Sequence, residues 1–396
     1  MDPATTSAAP GAGDTGGGDD GTPTSGPAQA VPSRRAAILR SAVVIGVLVV
    51  VFGLIIPKFV DYDDVIAAFR DLTLPQIVLM TAIGIVGWVA SGLLFNVLIK
   101  RLSIPQGTAS FLILGGVGAS IPLGPWNMGI LWVVVRGWGV PVRPATSGIG
   151  LYGVLNTLGL LALPALAVIA LLVTGNTSGH AGTAFTIALI GTAILIVVGG
   201  LMLAAVRSDR AADWLAVTGQ RIATWVIARL GRSDAPDVEG GIHRFRDQVS
   251  VVVHGRGPGA MLVSIGAKIV WAAILVVALR VVGVPGDVLT PLDVFAVFAL
   301  VGAITIIPLA PGGAGIPELL YISGMTTIAG ASWQSLITAG VFLFRIYQWF
   351  LPIPIAWILL KVTRRGRPVL PTTAELRSFA KDDPTPTPAP EPAAAG

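Results

Sequence analysis

The chain has 396 residues, 54% of them hydrophobic and 12% charged, against about 25% charged residues in an ordinary soluble domain. One soluble core cannot hide that much apolar surface, and the apolar residues run in long charge-free blocks, which excludes a water-soluble enzyme. The absence of cysteine removes disulfides, thiolate nucleophiles and Cys-built metal sites, and a formal charge of +5 carried at the ends of apolar blocks reports membrane topology, not nucleic acid binding.

Residues 1–33 are Gly, Pro, Ala, Thr and Ser with a few aspartates, which predicts a disordered N-terminal tail with nothing to bury. The first apolar block, residues 36–56, follows Arg34 and Arg35. It is longer than a signal-peptide core, and Pro57-Lys58-Phe59 is no small-residue cleavage site, so it predicts an uncleaved first span. The positive-inside rule puts the N-terminus in the cytoplasm, Asp61, Asp63 and Asp64 in an outer loop, and Lys100-Arg101 back inside after residues 72–99. Gly84, Gly87 and Ser91 in that second span predict close helix packing. Residues 107–135 are interrupted at Ile121-Pro-Leu-Gly-Pro-Trp-Asn127 and end at Arg136 and Arg143, on the side they started from, which predicts a re-entrant hairpin.

Residues 144–173 are expected to cross outward and 183–206 to cross back, closing a first repeat of 34–206. An arginine-rich cytoplasmic loop follows at 207–258. Its stretch 211–230 predicts an amphipathic helix with Trp214, Arg221, Trp225 and Arg229 near one face, an interfacial anchor. The second repeat core, 259–365, is expected to cross outward at 259–282, form a hairpin over 291–329, and cross inward at 333–360 to Lys361, Arg364, Arg365 and Arg367. Residues 366–396 predict a disordered C-terminal tail. The expected fold is an all-α polytopic membrane protein with a transmembrane domain at 34–365, about six full spans plus two re-entrant broken-helix hairpins in inverted-topology repeats, and both termini cytoplasmic.

The repeat is visible in the residues themselves. Pro122-Leu-Gly-Pro-Trp-Asn-Met-Gly-Ile130 matches Pro308-Leu-Ala-Pro-Gly-Gly-Ala-Gly-Ile316 at an offset of 186 (308 − 122), and each copy is preceded by a Val-Gly-Ala. The charge pattern puts one hairpin inside and the other outside, and inverted repeats with broken helices are a transporter design. Backbone polar groups in hydrocarbon must be satisfied, so such breaks persist only against protein or a water-filled cavity. Pro317 suits the first turn of a new half-helix after Gly312, Gly313 and Gly315, whose free N–H groups carry about half a positive charge and suit a phosphate head group. A packing kink filled by neighbouring helices is the plainer reading of either break.

Three ionisable residues fall within predicted spans, where each costs about 2.5–3.5 kcal/mol on insertion scales: Lys268, Glu318 and Arg345. Glu318 in the first turn of the half-helix complements its dipole. Arg345 has two readings, an ion pair with Glu318 or a contact to substrate. Lys268 faces a cavity or snorkels. Asn127, Asn156, Gln334 and Gln348 read as interhelical hydrogen bonds, with Asn127 kept as a candidate ligand at the first break. His180, His243 and His254 lie in separate loops, so neither metal nor cofactor is expected, and no catalytic triad, P-loop or dinucleotide fingerprint is present.

With both hairpins located, the chain resembles the flippase-like transmembrane domain of the lysylphosphatidylglycerol synthases, a family with many free-standing bacterial members. Ile307-Pro-Leu-Ala-Pro-Gly-Gly-Ala-Gly-Ile-Pro-Glu318 is similar to the family's Pro-Gly-Gly-x-Gly-x-x-Glu segment, and Phe344-Arg345-Ile346-Tyr347 to its later arginine helix. The resemblance runs from about Arg35 to Arg365 and departs in the first half, where Trp126-Asn127 replaces Gly-Gly and Asn156 stands near an expected arginine. The chain ends soon after its last span, so the family's aminoacyl-transferase domain is not expected.

The resemblance implies a bacterial plasma-membrane flippase, not an enzyme, that translocates a phospholipid or polyprenyl-phosphate lipid. Its substrate-binding residues would be Arg345, Glu318, Gly312, Gly313, Gly315, Asn127 and Lys268, and its partners membrane lipids, a separate lipid-modifying or glycan-assembly enzyme, and no nucleic acid, with a homo-oligomer left open. The alternatives are a membrane enzyme or an accessory scaffold in lipid-linked glycan or cell-envelope assembly. Topology is directly testable because the chain has no cysteine of its own. A single cysteine replacing Ser178 should react with impermeant reagents from outside the cell; labelling only from the cytoplasm would remove the inverted repeat.

Overall fold

The computed structural model describes residues 69–120, 126–174, 257–305 and 315–365, with single positions between 185 and 224 and at 371. Among these residues the regular structure is all helical: α1 (Leu74–Leu98), α2 (Ile104–Ser120), α3 (Trp126–Gly137), α4 (Val142–Val173), α5 (Gly257–Val281), α6 (Pro291–Ile304), α7 (Ile316–Ala329), α8 (Gln334–Arg345) and α9 (Pro352–Thr363). A short 3-10 turn, Ala331–Trp333, leads into α8, and a π-turn, Ile346–Phe350, joins α8 to α9. The expected first span, both tails, the two break tips (121–125 and 306–314) and most of 207–256 lie outside the described residues. Within the amphipathic stretch, Trp214 and Arg221 are helical and exposed, whereas Trp225 and Arg229 lie outside the description.

Helix starts share a recurrent four-residue form. Thr73-Leu-Pro-Gln76 opens α1, and the Gln76 side-chain oxygen accepts the Thr73 backbone N–H at 2.8 Å. Ser103-Ile-Pro-Gln106 opens α2 with the same bond at 2.9 Å. At α6 the hydroxyl of Thr290 and the carboxylate of Asp293 cap one another's backbone N–H groups, at 3.2 and 2.8 Å. The starts of α1 and α6 are capping boxes, and the α2 start makes the same return bond; each satisfies N–H groups that a helix start leaves without partners. The prolines stand in the first turn, where a missing N–H costs nothing.

Four elements are long and apolar enough to cross a membrane: α1, α4, α5 and the composite Ala331–Thr363. They coincide with the spans expected at 72–99, 144–173, 259–282 and 333–360, and mark a helical membrane protein. Their outer faces carry bare apolar side chains, such as Leu74, Val78, Leu262 and Ile358, as hydrocarbon-facing helices do. The remaining helices pack in two pairs of short arms, α2 with α3 and α6 with α7, each arm having 12 to 17 residues. Such arms rise about 18–26 Å, short of a hydrocarbon core about 30 Å thick.

The two repeats interlock. Helix starts at 74, 104 and 126 recur at 257, 291 and 316, close to the offset of the sequence motifs. One core cluster joins the first-repeat residues Phe95, Ile113, Leu131 and Tyr152 to Ala356 and Leu360 of α9. The other joins Trp271, Phe298, Tyr321 and Phe344 of the second repeat to Leu163, Ala167 and Leu171 of α4. Each repeat thus lends the end of one long element, α4 or α9, to the core of the other. The first arms of the two pairs accept these lent helices, α2 packing on α9 and α6 on α4.

Glycine sets the closest crossings. A Cβ at Gly92 on α1 would meet the backbone of Thr108 on α2 at 2.5 Å, and Gly107 on α2 lies against the amide of Asn96. Gly84 leaves room for the Tyr347 ring and Gly87 for Trp271 and Ile274. Gly92→Ala should therefore destabilise the protein by about 1–3 kcal/mol, because the obstructing atoms are backbone. Gly129→Ala, with open space around it, should gain about 0.5–1 kcal/mol from helix propensity. Thermal unfolding in detergent measures both; equal shifts would contradict the close α1–α2 contact.

Candidate functional site

The first turn of α7 is a variant of the helix-start form, Gly315-Ile-Pro-Glu318. Gly315 adopts φ +94°, a conformation that side chains disfavour, and donates its N–H to Glu318 Oε2 at 2.6 Å. The carboxylate thus caps its own helix and complements the positive end of the dipole. Its second oxygen, Oε1, accepts the Nε–H of Arg345 at 2.6 Å. Arg345 lies inside the composite Ala331–Thr363, just before its π-turn, so of the two charges the helix dipole favours that of Glu318. Glu318 is fully buried and Arg345 is 6% exposed.

The π-turn after Arg345 arranges the rest of its surroundings. Arg345 Nη1 donates to Gln348 Oε1 at 2.8 Å, and the guanidinium carbon lies 5.6 Å from the centre of the Trp349 ring, within cation–π range. The Leu351 N–H reaches back five residues to the Ile346 carbonyl at 2.8 Å. The next such bond, to the Tyr347 carbonyl, would come from position 352, a proline with no N–H. The indole of Trp88 on α1 supplies the missing donor at 2.8 Å, and the Tyr347 hydroxyl lies 3.0 Å from Thr81 Oγ1. Local winding faults of this kind recur at functional sites.

Beside this pair lies a cavity of about 420 Å³. Both repeats contribute to its walls: Ser91, Phe111 and Asn156 from the first, Lys268, Tyr321 and Arg345 from the second. Lys268 on α5 donates a short hydrogen bond from Nζ to Asn156 Oδ1 on α4. One turn earlier on α5, the Ser264 hydroxyl donates to the Leu155 carbonyl at 2.9 Å, fixing the α4–α5 register. Trp271 donates its indole N–H to Ser91 Oγ at 2.9 Å, tying α5 to α1 on the same wall.

Of the residues expected at a site, Glu318, Arg345 and Gly315 form one connected unit, and Lys268 lines the adjoining cavity. Gly312 and Gly313 lie outside the described residues. Asn127 is not on the cavity wall; its side-chain amide is 3.5 Å from the Leu114 carbonyl on α2. Gln348, which the sequence marked as an interhelical hydrogen bond, instead bonds Arg345 within its own helical span, whereas Asn156 makes the expected interhelical bond, from α4 to Lys268 on α5. The i, i+3 spacing of Arg345 and Gln348 was the available signal for the first; nothing local to Asn156 pointed to Lys268.

In comparisons with known proteins, the chain matches no protein-family model and no curated protein. Its chemistry rests on the geometry above: a buried acid–base pair beside a polar, cation-bearing cavity in an apolar frame. Removing one member of the Glu318–Arg345 pair strands the other, so Glu318→Ala and Arg345→Ala should each cost about 3–5 kcal/mol. The double variant should lose less than the sum. Thermal or denaturant unfolding of all four proteins gives the coupling energy, and strict additivity would mean that the two side chains act independently.

Proposed function

We propose that this protein is a flippase-like transporter that moves an amphiphile with a phosphate-bearing head group, a phospholipid or a polyprenyl phosphate, between the leaflets of a bacterial plasma membrane. The observation that carries the reading is the cavity itself, where two cationic side chains meet among apolar walls at the junction of two interlocked repeats. A charged lysine or arginine at membrane depth is expensive unless it faces a partner or a polar cavity, and such residues mark substrate pathways. The volume suits a head group and not a whole lipid, which leaves the acyl chains against Phe111, Leu160 and Phe298 and beyond them the bilayer.

In this reading the hairpins α2–α3 and α6–α7 re-enter from opposite faces, and both termini are cytoplasmic. Their short arms and the interlocked ends of α4 and α9 support it, since inverted repeats exchange access by moving one half against the other about a fixed site. The resemblance to the flippase-like domain of the lysylphosphatidylglycerol synthases points the same way.

Proteoliposomes with fluorescent phospholipids and polyprenyl phosphates provide the test, scored by how much label a membrane-impermeant reductant reaches with time. The wild-type chain should accelerate exchange of at least one phosphate-bearing lipid over protein-free vesicles. Arg345→Lys, which keeps the charge but not the bidentate fork, should slow it by about tenfold or more. Exchange no faster than in empty vesicles across the whole panel would end the transport reading.

A further inference from the structure

We infer that the cavity selects a head group carrying one net negative charge, a phosphodiester monoanion with no balancing cation, and that Lys268 sets this selectivity. The inference rests on the transport reading for one point, that the phosphodiester belongs to a lipid.

The argument is an inventory of charge. The cavity walls carry Lys268 and Arg345 and no aspartate or glutamate. The positive charge of Arg345 is matched by Glu318, whose two oxygens are both engaged, one by the Arg345 Nε–H and the other by the Gly315 N–H. The same carboxylate also answers the dipole of α7, so the helix start adds little positive field to the cavity. Lys268 has no such match. Its hydrogen-bond partner is the neutral amide of Asn156, and no acid pairs with it among the described residues. The two break tips, 121–125 and 306–314, contain no acidic residue either. Among the described residues the cavity therefore holds one uncompensated positive charge.

A monoanion neutralises that charge and receives hydrogen bonds from Lys268, a charge-assisted arrangement. A zwitterionic head group brings its own ammonium into a space of low dielectric whose one nearby carboxylate is already doubly bound, so its cation stays unpaired. A group with two negative charges leaves one in excess. Asn156 acts as a positioning residue: its Oδ1 holds the Lys268 ammonium on the α4 side of the cavity and leaves its other protons for the ligand.

The test measures binding and so stands apart from transport. The full-length protein in neutral detergent is titrated with short-chain phosphatidylglycerol, short-chain phosphatidylcholine and the chain-free glycerophosphoglycerol, with thermal stabilisation as the readout. Phosphatidylglycerol should bind about tenfold or more tighter than phosphatidylcholine. Lys268→Gln should erase the preference and Lys268→Arg should keep most of it. Asn156→Asp, which leaves Lys268 in place but gives it an acid partner, should erase the preference as well, and it carries the test should Lys268→Gln fold poorly.

Equal binding of the two lipids by the wild type, or a preference that survives in both Lys268→Gln and Asn156→Asp, would overturn the inference. Glycerophosphoglycerol binding as tightly as phosphatidylglycerol would support the charge assignment and overturn the lipid source it rests on. Selective phosphatidylglycerol binding without exchange in proteoliposomes would uphold the inference and remove the transport reading.

Discussion

The bond between Glu318 and Arg345 joins the start of α7 to the middle of the composite span Ala331–Thr363 inside an apolar protein. Glu318 sits at the helix terminus that favours it, so the dipole of α7 supports the pair from the carboxylate side. That support matters because ionised groups removed from water lose several kcal/mol of solvation, which only close geometry and further hydrogen bonds offset. Both are present: two contacts at 2.6 Å on the carboxylate, and Gln348 and Trp349 around the guanidinium. The position of α7, and with it the wall of the cavity, follows from where this pair is held.

Arg345 in turn is held by the winding fault that follows it. Because Pro352 has no N–H, the Tyr347 carbonyl lacks its helical donor, and Trp88 from the first repeat takes that place. A backbone defect in the second repeat is thus repaired by a side chain of the first. The cavity inherits the same dependence: Lys268 on α5 is oriented by Asn156 on α4, and Trp271 on α5 by Ser91 on α1. Neither repeat has a complete site alone, as expected where each also lends part of a helix, α4 or α9, to the other's core.

Much of this was legible in the chain. Charge-free blocks located the four long helices to within a few residues, since the bilayer length scale leaves little freedom. The matched Pro-Leu segments open within 121–125 and 306–314, outside the described residues, and the Glu318–Arg345 pairing was one of two readings for ionisable residues at depth. The Thr-Leu-Pro-Gln and Ser-Ile-Pro-Gln starts also identify Gly-Ile-Pro-Glu318 as a third copy, which makes Glu318 a cap and not a free ligand group. The partnership of Lys268 with Asn156 was not legible. The two are 112 residues apart, and only the crossing of α4 and α5 makes them neighbours. Asn127 lies off the cavity wall, and its counterpart at the repeat offset, Gly313, lies outside the described residues.

The repeat offset bears on the charges as well. At the 186-residue offset, Lys268, Glu318 and Arg345 correspond to Ala82, Trp132 and Gly159, none of which is ionisable. The backbone plan is doubled, but the charge occurs once. Burying charge is costly, and a second charged cavity would double that cost. A mechanism in which two halves rock about a shared site needs the symmetry of the scaffold and only one site. Under the proposed transport reading, a doubled frame with one charged cavity suffices, whereas two independent binding proteins fused in tandem would keep the charges in both copies.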